Sequence, residues 1–118
     1  MSLGVDMMDC VWPTRVARNG MVMTRRGRVN IVNSANREDF SPPDPDCGCF
    51  VCRNYSRAYL NHLFRAKELL VYRLLSFHNL HLMLSIAADI RRAIKAGRFV
   101  QARDEFLAGY RSAANAAK

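Results

Sequence analysis

Three cysteines fall within six residues in the run Cys47-Gly48-Cys49-Phe50-Val51-Cys52, and His78 follows 26 residues after the last of them. Three thiols so close together cannot pair off as disulfides without leaving one over, and the fourth cysteine, Cys10, lies far away along the chain. A metal site accounts for the spacing better. Zinc takes four sulfur or nitrogen ligands in a tetrahedron, and a Cys-x-Cys-x-x-Cys turn can aim three thiolates at one point while a helix supplies a histidine. The competing readings are three unrelated buried or free cysteines, and an iron–sulfur cluster, which would want a fourth cysteine nearby. Among His62, His78 and His81, His78 is the expected fourth ligand, because Ser76 is a good N-cap and would place it in the first turn of a helix. Four protein ligands leave no open position, so such an ion holds the fold and does no chemistry.

A second chemical candidate is Asp9. Val5 to Val11 reads as a short buried strand closed by Trp12-Pro13-Thr14-Arg15, because proline cannot continue a central ladder. In open sheets and (β/α)₈ barrels catalytic side chains sit at the carboxyl ends of strands. Asp9 is therefore weighed as a nucleophile or general base against a plainer role, capping the turn or pairing with Arg15 or Arg18.

Several elements must position these groups. Residues 14–20 read as a basic loop ending in an Asn19-Gly20 turn. Met21–Thr24 and Arg28–Val32 flank Arg25-Arg26-Gly27 as a β-hairpin. Five arginines and no acid lie between Arg15 and Arg28. That is either a solvated charge run or a grip for a phosphate backbone. Residues 33–46, carrying Pro42, Pro43 and Pro45, form an irregular connection into the cysteine turn. From Arg57 the period becomes helical, with Tyr59, Leu63, Ala66 and Leu70 on one stripe and Leu60, Phe64, Val71 and Leu74 beside it. A second helix from Ser76 carries Met83, Ile86, Ile90 and Ile94 and stops at Gly97. Phe99, Phe106 and Tyr110 mark a last amphipathic segment that fades into the alanine-rich tail.

At 118 residues the chain is one domain or a piece of one, and with half its residues hydrophobic it can form a core. A net charge of +8 suits a polyanionic partner such as RNA, DNA or an acidic protein surface. No apolar run approaches the ~20 residues of a membrane span, and Gly4 and Asp6 interrupt any secretory signal. Cysteines in a thiolate metal site agree with a reducing, cytoplasmic setting.

Gly4-Val5-Asp6-Met7-Met8-Asp9-Cys10-Val11 with Pro13-Thr14-Arg15, then Arg18-Asn19-Gly20, Asp44-Pro45-Asp46-Cys47-x-Cys49-x-x-Cys52, Tyr55-Ser56-Arg57-Ala58-Tyr59-Leu60 and His78-Asn79-Leu80 resemble the C-terminal third of bacterial tRNA-guanine transglycosylase, also called queuine tRNA-ribosyltransferase. The resemblance runs from Gly4 to about Tyr110, and several motifs keep the family's order and spacing. It implies an α/β fold: the C-terminal fragment of a (β/α)₈ TIM barrel with an inserted zinc-binding subdomain, helix-rich in its second half. Residues 1–46 would supply the last barrel strands, the basic loop and the hairpin, and 47–118 the zinc subdomain and C-terminal helices. In that family an aspartate attacks the ribose C1′ at the anticodon wobble position and expels guanine, and a 7-deazaguanine base takes its place. Asp9 stands at the nucleophile's position, and Arg15 and Arg18 stand where the family contacts the tRNA anticodon arm. Cys47, Cys49, Cys52 and His78 match the ligands of one structural Zn²⁺ per chain. Tyr55, Tyr59, His62 and Leu74 correspond to the family's homodimer patch, against which stands packing within one chain.

There are also departures. Most of the barrel is absent, with the general acid/base aspartate and the residues that recognise guanine, so the chain alone is expected not to turn over. Met8, Trp12 and Met23 vary the local motif in ways that packing can absorb. The unpartnered strand edges and apolar faces of such a piece are expected to cause association or partial disorder near the N-terminus. The alternative is a non-catalytic zinc module that binds RNA or a protein partner.

Overall fold

The computed structural model describes residues 3–5 and 7–116, with 111–116 described by backbone alone. In chain order the elements are helix α1 (Trp12–Arg18), strands β1 (Met21–Thr24) and β2 (Gly27–Asn30), a 3₁₀ turn at Ser34–Asn36, and helices α2 (Phe50–Asn54), α3 (Arg57–Arg65), α4 (Leu70–Lys95) and α5 (Phe99–Ala116).

The expected strand over Val5–Val11 is absent among the described residues, and Asp6 lies outside them. Residues 7–11 run without regular structure, and Met7, Met8 and Val11 are exposed. A strand needs a neighbour to satisfy its backbone, and the one sheet described pairs β1 only with β2. The expected basic loop is also corrected, because Trp12–Arg18 is helical. Pro13 does not end a strand; it sits in the first turn of α1, where its missing N–H is no loss and its backbone angle already suits a helix.

The hairpin forms as expected, with Val22 opposite Val29 and Met23 opposite Arg28 in an antiparallel register. Its two-residue turn is Arg25-Arg26, and Gly27 already belongs to β2. Gly20 joins α1 to β1 at φ +77°, and its carbonyl accepts the Ile31 N–H at 2.8 Å. A Cβ there would lie 2.6 Å from Val32 Cγ2 and 3.1 Å from Phe64 Cε2. Gly20→Ala combines a left-handed penalty of about 1–2 kcal/mol with an overpacking cost of about 1–3 kcal/mol. It is expected to destabilise by at least ~2 kcal/mol, read as a denaturation midpoint lowered with unchanged slope.

The helical half divides at a different place from the one expected. α3 stops at Arg65 and α4 begins at Leu70, running unbroken through Ser76. Ala66 caps α3, and Lys67 takes φ +59°, with Lys67 N–H donating to Phe64 O and Glu68 N–H to Leu63 O. This is the paired-bond helix ending that glycine usually makes, here carried by a lysine. Gly97 closes α4 in the same way at φ +66°, with its N–H on Ile94 O and that of Arg98 on Ala93 O, as the sequence led one to expect.

The core draws on both halves of the chain. Ala17, Val22 and Ile31 pack with Cys49, Val51, Leu60, Leu63, Val71, Leu74 and Leu75. Upstream of the cysteines, Arg57 steadies the proline connection: its Nη1 donates to Asp39 Oδ2 at 3.0 Å and its Nε and Nη2 to Pro43 O. Ser41 holds the Asp39 carboxyl below its ordinary range through its hydroxyl and N–H, and Arg57 adds to the effect. No helix of the described residues is long and apolar enough to cross a membrane.

Candidate metal centre

The cysteine turn is built by local hydrogen bonds. Asp44 O accepts the Cys47 N–H at 3.1 Å, and Asp44 Oδ1 accepts the Asp46 N–H, which folds the chain back before the first thiol. Cys49 is extended, caps α2 and takes the Cys52 N–H on its sulfur at 3.4 Å. The sulfurs of residues 49 and 52 are thereby brought to one side of the turn. His78 comes from the third turn of α4, not the first turn of a helix started at Ser76, and it is fully buried.

The ligand atoms of Cys47, Cys49, Cys52 and His78 all lie within 4.8 Å of one another. His78 Nδ1 is 3.4 Å from Cys49 Sγ and 3.3 Å from Cys52 Sγ. A tetrahedron with metal–sulfur bonds near 2.3 Å and a metal–nitrogen bond near 2.0 Å separates sulfur from nitrogen by about 3.5 Å, so the cage has the right size for zinc. The histidine's other nitrogen settles its tautomer: Nε2 donates to Met23 O at 2.8 Å, leaving the Nδ1 lone pair to face the sulfurs.

Burial is the main cause of the acid–base behaviour here. It pushes the Cys47 and Cys52 thiols up, and it pushes His78 down toward the neutral form a ligand needs. Burial thus holds Cys47 and Cys52 toward the protonated form, and a divalent ion reverses that preference by supplying the opposite charge. The donors therefore fit a closed, structural zinc site of three thiolates and one imidazole.

The remaining candidates are spread more widely. Asp9 is exposed; among the described residues it makes no ion pair and does not cap α1, whose N-cap is Val11. Arg15 and Arg18 are exposed on the last turn of α1. Tyr55 and Tyr59 do come together, stacked with ring centroids 5.5 Å apart, and exposed His62 lies one turn further along α3. Leu74 does not join them; it is 5% exposed and belongs to the core, packing within the chain. Its place is taken by Phe50 and Phe77, both half exposed, with Phe50 edge-on to Tyr55 at 5.9 Å and to Phe77 at 6.3 Å.

Two buried polar residues that carry the centre have residue types that do not by themselves point to it. Asn79 follows the histidine ligand and is fully buried, with every polar side-chain atom bonded to backbone. Asp44 is buried at the head of the cysteine turn, with Oδ2 left without a hydrogen-bond partner among the described residues. The available signal was position: each borders a metal ligand or its turn.

Comparison with known proteins agrees with this geometry. The family model described as queuine tRNA-ribosyltransferase matches residues 1–112. A queuine tRNA-ribosyltransferase of Pelotomaculum thermopropionicum is 50% identical over 107 residues, 91% of this chain and 29% of that protein. One from Caldanaerobacter subterraneus subsp. tengcongensis is 51% identical over 107 residues, and one from Desulforapulum autotrophicum is 53% identical over 104. The chain spans less than a third of the length of these relatives. With the cage of Cys47, Cys49, Cys52 and His78 lying inside the matched span, this chain belongs to the queuine tRNA-ribosyltransferase family.

Proposed function

We propose that the chain is the C-terminal part of a tRNA-guanine transglycosylase, comprising the end of a (β/α)₈ barrel and its zinc subdomain. The observation that carries this reading is the metal cage inside a family match covering nearly the whole chain. In this reading Asp9 is the nucleophile. Its carboxylate attacks the ribose C1′ at the wobble position, guanine leaves with the bonding pair, and a 7-deazaguanine queuosine precursor then displaces the aspartate. Two substitutions at one carbon give retention through a covalent aspartyl-ribose, which suits a carboxylate nucleophile. Arg15 and Arg18 grip the backbone of an anticodon arm whose target base is splayed out. Zinc, when bound, supplies no chemistry to that exchange and holds the subdomain together.

Tyr55, Tyr59 and His62, extended by Phe50 and Phe77, form the homodimer face, since a cluster of touching aromatics, here exposed but for the half-buried Tyr55, is the usual centre of an interface. A tRNA substrate places the protein in the cytoplasm.

The test is a graft. Inserted in place of the matching 107 residues of the Pelotomaculum relative, this chain is expected to support guanine exchange into tRNA, and Asp9→Ala to abolish it. The chain alone is expected to bind tRNA with steep salt dependence and to exchange nothing. Exchange in the graft that survives Asp9→Ala would overturn the assignment. Binding to tRNA with no exchange in the graft would favour a non-catalytic zinc module.

A further inference from the structure

We propose that Asn79 is a positioning residue that sets the place of α1, and with it Arg15 and Arg18, relative to the metal-held core; the role in RNA binding rests on the function proposed above. His78 and Asn79 are successive residues of α4, and both grip Met23 of β1. His78 Nε2 donates to Met23 O at 2.8 Å, and Met23 N–H donates to Asn79 Oδ1 at 2.9 Å. The Asn79 amide then reaches onward: Nδ2 donates to Met21 O and to Pro13 O, each at 3.0 Å. Pro13 lies in the first turn of α1. One side chain therefore links the helix that supplies the metal ligand, the strand beside it and the helix that presents two arginines.

The link matters because α1 has only seven residues, too few to persist as a helix without tertiary support. Its other attachments are the buried faces of Pro13 and Ala17 and the stacking of Arg28 over Trp12 at 5.4 Å. Apolar contacts tolerate sliding and rotation, whereas a bond from a buried amide to Pro13 O specifies one register. The bond is also hard to replace, because Asn79 is fully buried and water does not reach the site to take over from its amide.

Asn79→Asp separates the two halves of the link. The carboxylate keeps an acceptor for Met23 N–H and removes the donor to Pro13 and Met21. In the zinc-loaded 118-residue chain, the variant is expected to retain one zinc. The α1 amides from Arg15 to Gly20 are expected to exchange at least about tenfold faster than in the parent, while those of α3 and α4 stay close to it. The log–log salt slope for tRNA binding is expected to fall by up to about 0.9 for each arginine that no longer meets a phosphate, as in an Arg15→Gln/Arg18→Gln control, a change that general loosening of the core would not produce. If Asn79→Asp loses its zinc, Asn79→Ser is read in the same way, since it adds no charge. Unchanged α1 exchange, or loss of zinc from both variants, would overturn the positioning role. If the parent chain does not bind tRNA at all, the functional reading fails, and the exchange data alone still decide whether Asn79 positions α1.

Discussion

Cys49→Ser is expected to leave the chain without zinc and largely unfolded. Cys49 is 2% exposed, and its sulfur has two roles, facing His78 Nδ1 at 3.4 Å and accepting the Cys52 N–H as the cap of α2. Serine is itself a good cap, so the substitution preserves the second role and removes only the thiolate. Structural zinc sites contribute apparent binding free energies of about 10–16 kcal/mol near neutral pH. The net stability of a domain is roughly 5–15 kcal/mol, so losing the ion removes as much as the fold has in hand. Metal analysis after purification without chelator is expected to return one zinc per parent chain and almost none for the variant, with the helical circular dichroism falling in parallel. Cys10→Ser is the control, because Cys10 is exposed and outside the cage, and it is expected to change neither reading. A Cys49→Ser protein that kept its zinc would remove Cys49 from the ligand set.

The four ligands could be read from the sequence because zinc chemistry constrains both residue type and spacing over a short stretch. Capping rules point to His78 through a first helical turn that it does not occupy, and the residue nevertheless agrees with the cage. What brings it there is burial on the face of α4 shared with Leu74, Leu75 and Leu82, a tertiary fact that periodicity hints at and capping rules do not. A glycine or a capping serine is the usual break signal in a sequence, and on that signal the boundary falls at Ser76. The chain instead uses Lys67 in a left-handed conformation, which neighbouring contacts must hold against its intrinsic cost. Ser76, attractive as a cap, lies inside the longest helix.

Pro13 is ambiguous in the opposite way. A proline after an apolar run reads as a strand ending or as a helix beginning, and only the absence of a pairing partner for residues 7–11 decides between them. The Asn79 link has no local signature, because its three bonds run to the backbone of Pro13, Met21 and Met23, dozens of positions away. Backbone donors and acceptors carry no residue signature, so a motif that contains Asn79 does not say what it binds.

Acid is expected to strip the metal from the chain, and alkali to leave it in place. Burial is the largest influence on His78 and lowers it from its ordinary value of 6.5, with the Met23 carbonyl and Asp44 opposing. Burial likewise raises Cys47 and Cys52 from 9.0. For the metal-free chain the signs follow from which state binds more protons. Below pH 6.5 the unfolded chain protonates its histidine first, so stability falls as pH drops. Above pH 9.0 the unfolded chain releases its thiol protons first, so stability also falls as pH rises. The residual stability of the metal-free chain is therefore greatest between these limits. Zinc changes both sides unequally. Its three thiolates must form by losing protons, so affinity declines by up to about tenfold per pH unit for each thiol as the solution is acidified. Once bound they are already ionised, and the alkaline loss disappears. Helical circular dichroism followed from about pH 5 to about pH 10, with and without equimolar zinc, is expected to converge at the acid end, to be stronger with zinc at neutral pH and to separate further above about pH 9. Parallel alkaline decline in both series would show that the thiols are not the groups holding the ion.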